Sequence, residues 1–170
     1  MRTLQDLFDT LPQSGRVDWI GIRPARQAPL LLLAEVEALQ DSGLQGDRYA
    51  GSGKRQVTLI QAEHLPVIGA VLRQTVDPTI LRRNVVVSGI NLISLKGARF
   101  RVGDALLEGT GPCEPCSRME DALGVGGYNA MRGHGGITAR VLESGRISVG
   151  DSVAFVSNPR AHHHRRTRRT

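Results

Sequence analysis

The chain has 170 residues, of which 40% are hydrophobic and 22% charged, figures that suit one globular domain with a proper core. Aromatics at 4% leave no evident base-stacking platform for single-stranded nucleic acid, and no apolar run approaches the length of a membrane span. The net charge of +6 is mostly a tail property: Arg160, Arg165, Arg166, Arg168 and Arg169 lie together beyond the last strand-like segment, so the remaining body is nearly neutral.

In chain order, Thr3 and Asp6 form a capping arrangement. Leu4, Leu7, Phe8 and Leu11 recur at helical spacing, predicting a short amphipathic helix over 4–11 that Pro12 to Gly15 ends. This N-terminal extension, residues 1–16, precedes the main domain, 17–156. Val17 to Ile22 is a strand and Leu30 to Val36 a second; the longest apolar run, Pro29 to Ala34, suits a buried one. Gly43 to Arg48 is a charged, glycine-punctuated loop, in which Asp47 is placed to orient Arg48. Gly51 to Lys54 is a further turn, leading to a strand over Arg55 to Gln61. A helix over Glu63 to Leu72 follows, with Pro66 tolerated near its start. Asp77 and Pro78 open one helical turn to Leu81, and Arg82, Arg83 and Asn84 precede a buried strand, Val85 to Val87. Ala98 to Val102 and Ala105 to Glu108 make a hairpin about Gly103.

Next comes a tight turn, Glu108 to Cys116, holding both cysteines, with a helix-compatible run over Ser117 to Leu123. Gly124 to Gly136 is glycine-rich, Ile137 to Leu142 is a strand, and Ile147 to Val149 and Ser152 to Val156 close the domain. Some eight short strands at close spacing predict a mainly β fold, sandwich or barrel, since most gaps cannot hold the crossover helix that a parallel α/β sheet needs. Residues 157–170 form a flexible basic tail in which His162, His163 and His164 adjoin; a solvated terminus is the preferred reading over a weak anionic anchor, and a nucleic-acid partner is not expected. With no basic-then-apolar leader, a cytoplasmic, reducing setting is expected, where two cysteines are thiols rather than a structural disulfide.

Cys113 and Cys116 form a C-x-x-C motif. Three chemistries fit it: a redox pair, half of a zinc site, or one reactive thiolate acting as sulfur carrier or soft-metal ligand. The β-rich setting counts against the first and the lack of further cysteines against the second. Around it, Arg48, Lys54, Arg82, Arg83, Asn84, Arg132 and His134 lie on glycine-rich loops or at a strand mouth. Glycines let backbone N–H groups approach an anion and arginine offers a bidentate fork. If these loops meet at one end of a barrel, they form a phosphate-binding mouth around the cysteines. Gly51-Ser-Gly-Lys54 lacks the spacing of a P-loop. Tyr128 and Asn129 could touch a ligand or simply turn the chain, and His64 is read as a structural helix residue.

These segments in order, namely Gly43-Leu-Gln-Gly-Asp-Arg48, Arg55 to Ile60, Leu81 to Ile90, Val102-Gly-Asp104, Cys113-Glu-Pro-Cys116, Met131 to Gly136, and Gly145 through Gly150-Asp151, resemble the MOSC domain over Val17 to Phe155. The resemblance implies a twisted mixed β-barrel of the pyruvate-kinase-barrel type that binds the molybdenum cofactor, a phosphate-bearing pterin. It implies Cys116 as the metal ligand, with Cys113 as its neighbour in the catalytic pair, and Arg82, Arg83 and Asn84 around the pterin phosphate. Members of this kind reduce N-hydroxylated compounds with electrons from a flavin or iron–sulfur partner protein. The family's other implied role is sulfur carriage, with a persulfide received on Cys116 from a pyridoxal-phosphate-dependent cysteine desulfurase; a non-catalytic binding module is the third reading. The chain departs from larger members in lacking an additional N-terminal barrel subdomain, and from many in having Gly51-Ser-Gly-Lys54 where they carry His-Gly-Gly.

Overall fold

The computed structural model describes residues 1–51 and 53–159. The arginine-rich tail and its three histidines therefore lie outside the described residues. Its framework is a barrel of seven strands, β1 (Gly15–Ile22), β5 (Val57–Gln61), β6 (Val85–Ser88), β7 (Arg99–Val102), β8 (Ala105–Pro112), β9 (Ile137–Glu143) and β11 (Ser152–Ser157), in the order β11-β7-β8-β9-β5-β6-β1 and closed by β1 against β11. All neighbours are antiparallel except β5 and β6. That parallel pair needs a crossover, and here the gap is long enough: α2 (His64–Leu72) and α3 (Pro78–Leu81) make it. The mainly β, mixed-barrel expectation therefore holds. No helix among the described residues is long and apolar enough to cross a membrane.

Strand alternation divides the apolar residues into two cores. Val57 and Leu59 of β5, with Val85 and Val87 of β6, point into the barrel beside Phe100, Leu107, Ile137 and Val153. Ile60 and Val86, one residue out of phase, face outward. There they are covered by Ile68 and Leu81 of the crossover and by Met119, Leu123 and Met131 of α4 (Ser117–Leu123) and α5 (Gly127–Met131). A register shift in β1 between Val17 and Trp19 turns Trp19 to the helix side while Val17 stays inside. The helices are thus stacked against one wall, beside the β5 and β6 ends that carry the arginines.

Several elements differ from expectation. The predicted strand Leu30 to Val36 is two strands, β2 (Leu31–Leu33) and β3 (Glu35–Leu39). β2 is not buried: it adds to one edge of β1, and Leu31 and Leu32 are about half exposed or more, at 50% and 59%. After Ala34 the chain leaves the barrel sheet, and β3 joins β4 (Gly43–Leu44) and β10 (Gly145–Ser148) in a second, three-stranded sheet. The N-terminal helix α1 (Leu4–Phe8) is shorter than 4–11, with the expected Thr3–Asp6 capping box. A 3₁₀ turn at Leu92–Leu95 falls in a stretch to which the sequence assigned no element, and helix α5 arises in the glycine-rich stretch. α5 follows a left-handed Gly126, and the Glu120 carboxylate accepts from the N–H groups of Gly126 and Tyr128. β8 runs on to Pro112, and its Gly109 serves close packing rather than a turn: a Cβ there would run into the Leu95 carbonyl.

Gly136 meets two demands at once. Its φ is +85°, and a side chain there would strike the Leu59 carbonyl oxygen of β5. Gly136→Ala is expected to cost about 2–4 kcal/mol, from left-handed backbone strain and overpacking together. A urea unfolding series checks this, and an unchanged midpoint would contradict the close approach.

Candidate functional site

The site forms where the loop before β6, the loop before β5 and the turn after β8 converge. Arg82 ends α3 in the left-handed region with φ 53°. This conformation sends two consecutive arginines apart. Arg82 Nη1 donates to the Ala28 carbonyl at 2.7 Å. Arg83 turns inward, its Nε donating to Gly135 O at 2.9 Å, Nη1 to Leu81 O at 2.8 Å and Nη2 to Cys113 O at 3.4 Å. Arg83 is only 7% exposed, and its guanidinium has no carboxylate partner among the described residues. Burial pulls its pKa down, the charge of Cys113 opposes this, Arg55 adds to the pull, and Cys116 opposes it again. Arg83 therefore sits against the backbone of the cysteine turn, at the Cys113 carbonyl. Arg55 donates through Nη2 to Cys113 Sγ at 3.6 Å.

Asn84, fully buried, is the hub beneath. Its Oδ1 accepts from Arg23 Nη2 at 2.8 Å and from the Thr58 amide and hydroxyl, both at 3.0 Å. Its Nδ2 donates to Gly21 O at 3.1 Å and to Asp47 Oδ1 at 3.3 Å. All its side-chain polar atoms are engaged by protein, so Asn84 positions the cluster. Asp47 does not orient Arg48 as expected. It is buried at 4% exposure and grips Arg23, accepting from Nη2 at 2.7 Å, Nε at 3.0 Å and the Arg23 amide at 2.7 Å. Burial pushes the Asp47 carboxyl up, but the hydrogen bonds and charge of Arg23 outweigh it and leave its pKa below the ordinary value. Tyr49 lies between Arg23 and Arg48, whose guanidinium carbons stand 4.4 and 4.8 Å from its ring centre. Arg82 is pulled down first by burial and then by Arg23, Arg118 and Arg48, with Tyr49 opposing. Among Arg23, Arg48, Arg55, Arg82, Arg83 and Arg118, only Arg23 has a carboxylate partner among the described residues.

The two cysteines are not equivalent. Both are free thiols, but Cys113 is 2% exposed while Cys116, at the N-cap of α4, is exposed. The predicted mouth thus brings together Arg48, Arg82, Arg83, Asn84 and both cysteines. Lys54 and Arg132 are exposed, and no hydrogen bond or ion pair of their side chains ties them to the cluster among the described residues. His134 is elsewhere: it packs edge-on against His64 at 4.9 Å between ring centres. Sequence reasoning missed Arg23, which no motif marks, and Arg55, which opens one of the resembling segments but was given no role there. Each becomes legible only when β1 and β5 are laid beside β6.

Beside Cys113 lies a cavity of about 280 Å³, lined among others by Gln61, His64, Ile93 and Gly135. It exists because β8 and β9 stop opposite Leu59, through Pro112 and Ile137, while β5 continues to Gln61. A larger groove of about 800 Å³ runs beneath α1 and shares Gln61 and Ile93 with it. Among the described residues, no group of three or more His, Cys, Asp or Glu side chains is arranged to hold a metal ion.

The chain is 27% identical over 154 residues to YflK of Bacillus subtilis (strain 168), an alignment covering 87% of this chain and 68% of YflK. Its fold is similar to the crystal structure of YuaD from Bacillus subtilis, with a TM-score of 0.76 at 20% identity, covering 87% of this chain and 99% of that one. It is also similar to YiiM from Escherichia coli, with a TM-score of 0.68 at 21% identity, covering 86% and 71% respectively. The family model of the MOSC domain matches residues 46–154, which include the Asp47 anchor, the arginine pair and both cysteines. The chain belongs to the MOSC domain family.

Proposed function

We infer that the arginine mouth binds a molybdenum cofactor with Cys116 as its protein ligand, and that the protein reduces N-hydroxylated compounds with electrons from a flavin or iron–sulfur partner. The observation that supports this most is Arg83, a buried guanidinium whose only acceptors among the described residues are carbonyls, one of them that of Cys113. A buried cation needs an anion nearby, because desolvating it unpaired is costly. The donor set fits the group as well. With no cluster of three protein ligands among the described residues, a metal at Cys116 must bring most of its ligands with it, as a pterin-held molybdenum does.

When bound, the cofactor supplies the two-electron redox chemistry. The chain does the rest. Arg82, Arg48 and Arg118 form an anion-binding rim for the phosphate, and Arg83 holds the Cys113 carbonyl and the Gly135 loop in place beside the thiols. Asn84 and Asp47 lock Arg23 beneath that rim. Anaerobic purification from a molybdenum-replete host is expected to yield protein with near-stoichiometric molybdenum and pterin, read by elemental analysis and pterin fluorescence. A persulfide on Cys116 without molybdenum would instead point to sulfur carriage, and neither to a binding module.

A further inference from the structure

β2 is the last strand on its side of the barrel sheet, and the direction of its backbone groups follows from its neighbour β1. The Gly21 amide donates to Asn84 O at 2.7 Å, and the Gly21 carbonyl accepts from Asn84 Nδ2 at 3.1 Å. Both groups therefore point away from β2. Successive residues of an antiparallel ladder turn their N–H and C=O to opposite sides. Ile20 and Ile22 are thus the residues that bond to β2, through Leu33 and Leu31, while Leu32, opposite Gly21, turns its N–H and C=O outward. Leu30 shares that phase. Among the described residues, no other segment takes up the backbone of Leu30 or Leu32. The same phase is occupied on either side: Ala34 O accepts from the Val149 amide at 2.9 Å, and Ala28 O from Arg82.

We propose that this bare edge joins a second copy of the chain, β2 pairing antiparallel with the partner's β2 about a two-fold axis at Leu31.

The bare groups set the register. Leu30 lies opposite the partner's Leu32 and Leu32 opposite the partner's Leu30, each pair exchanging its N–H···O bonds. Leu31 then meets its own symmetry mate in the close, non-hydrogen-bonded position. On the other face Leu32 packs on the partner's Leu30. Leu31 and Leu32, both exposed in the single chain, are covered in this way by leucines. An isologous seam has to be self-complementary, and the flanks agree. Exposed Arg26 precedes the leucines and exposed Glu35 follows them, so antiparallel pairing brings opposite charges together at each end. Sheet edges that must stay single are commonly guarded by a charged residue within the strand. The run from Leu30 to Leu33 holds only leucine. The seam also adjoins the arginine rim, because Ala28, which anchors Arg82, lies just before it. Pairing stiffens that anchor in both copies.

The test is sedimentation equilibrium of the full chain with amide hydrogen exchange, both in a thiol reductant so that Cys116 cannot link copies. Across roughly a hundredfold dilution series, the mass is expected to move between that of one chain and that of two. At high concentration the Leu30 and Leu32 amides should exchange at least about tenfold more slowly than on dilution, and Leu31 and Leu33, already bonded to β1, should change less. Leu32→Pro removes a donor that β1 does not use and suits an edge strand. It should give a monomer whose melting temperature on dilution is within a few degrees of the parent's. Leu32→Lys should do the same with the backbone donor kept. A single-chain mass at every concentration, a dimer that persists in both variants, or a dimer that leaves Leu30 and Leu32 exchange unaltered would overturn the seam.

Discussion

Cys116→Ala is expected to strip the protein of molybdenum, whereas Cys113→Ala should retain it. The asymmetry comes from the surroundings of two thiols three residues apart. Cys113 is closed in: its amide donates to Gly136 O at 2.8 Å, its carbonyl accepts from Arg83, and its sulfur faces Arg55. Cys116 is exposed at the first turn of α4 and beside the arginine rim, with its side chain in no capping hydrogen bond. A soft metal approaching from solvent meets Cys116 without displacing anything. Molybdenum per protein, measured for both variants prepared in parallel, should fall to background for Cys116→Ala and stay near the parent for Cys113→Ala. Equal retention by the two, or loss only in Cys113→Ala, would reverse the assignment.

The second large effect concerns Asp47. Asp47→Ala leaves the Arg23 guanidinium buried with its carboxylate gone, and removing one partner of such a pair costs about 3–5 kcal/mol. For a domain of this size that is a drop in Tm of roughly 10 °C. The damage should reach the rim as well, because Arg23 also holds Asn84 and the Arg82 carbonyl. The same pair sets an acid limit. The folded pKa of Asp47 is lowered from 3.8, so the native state binds this proton less readily than the unfolded chain. Its contribution is complete above the unfolded value near 3.8 and is lost as pH falls through the lower, folded one. The parent should lose stability faster than Asp47→Ala across that window, and parallel urea titrations at falling pH would show the two curves converging. Curves that stay parallel would mean that the pair carries no such linkage.

Most of the barrel was legible because its strands are short, β-branched and cleanly punctuated: Val85 to Val87, the hairpin about Gly103 and the strand from Ile137 each fall where alternation and glycine place them. The failures share a cause. The apolar run Pro29 to Ala34 looks like interior strand, yet whether such a run is buried depends on which sheet edge receives it, and β2 receives only β1. Gly109 looks like a turn residue, but in β8 it allows the backbone at Leu95 to come close, which no local pattern announces. The site divides the same way. The arginine pair and the cysteines carry a motif, so they could be found. Arg23, Arg55 and the partner of His64 acquire meaning only from pairing across the barrel, and Asp47 was assigned to its sequence neighbour when its real partner lies 24 residues away.

The closure of the barrel has a consequence in time. The seam between β1 and β11 matches Gly15 with Val153 and Arg16 with Ser152, reinforced by exchange between Val17 and the Gly150–Asp151 turn. The two edges that meet there come from opposite ends of the domain. A nascent chain emerging from a ribosome can thread the crossover and pair β5 with β6 early, but it cannot complete the cylinder until residue 153 is free. Until then β1 and β7 both present bare edges, and the protein is most exposed to faulty pairing in the interval before β11 emerges.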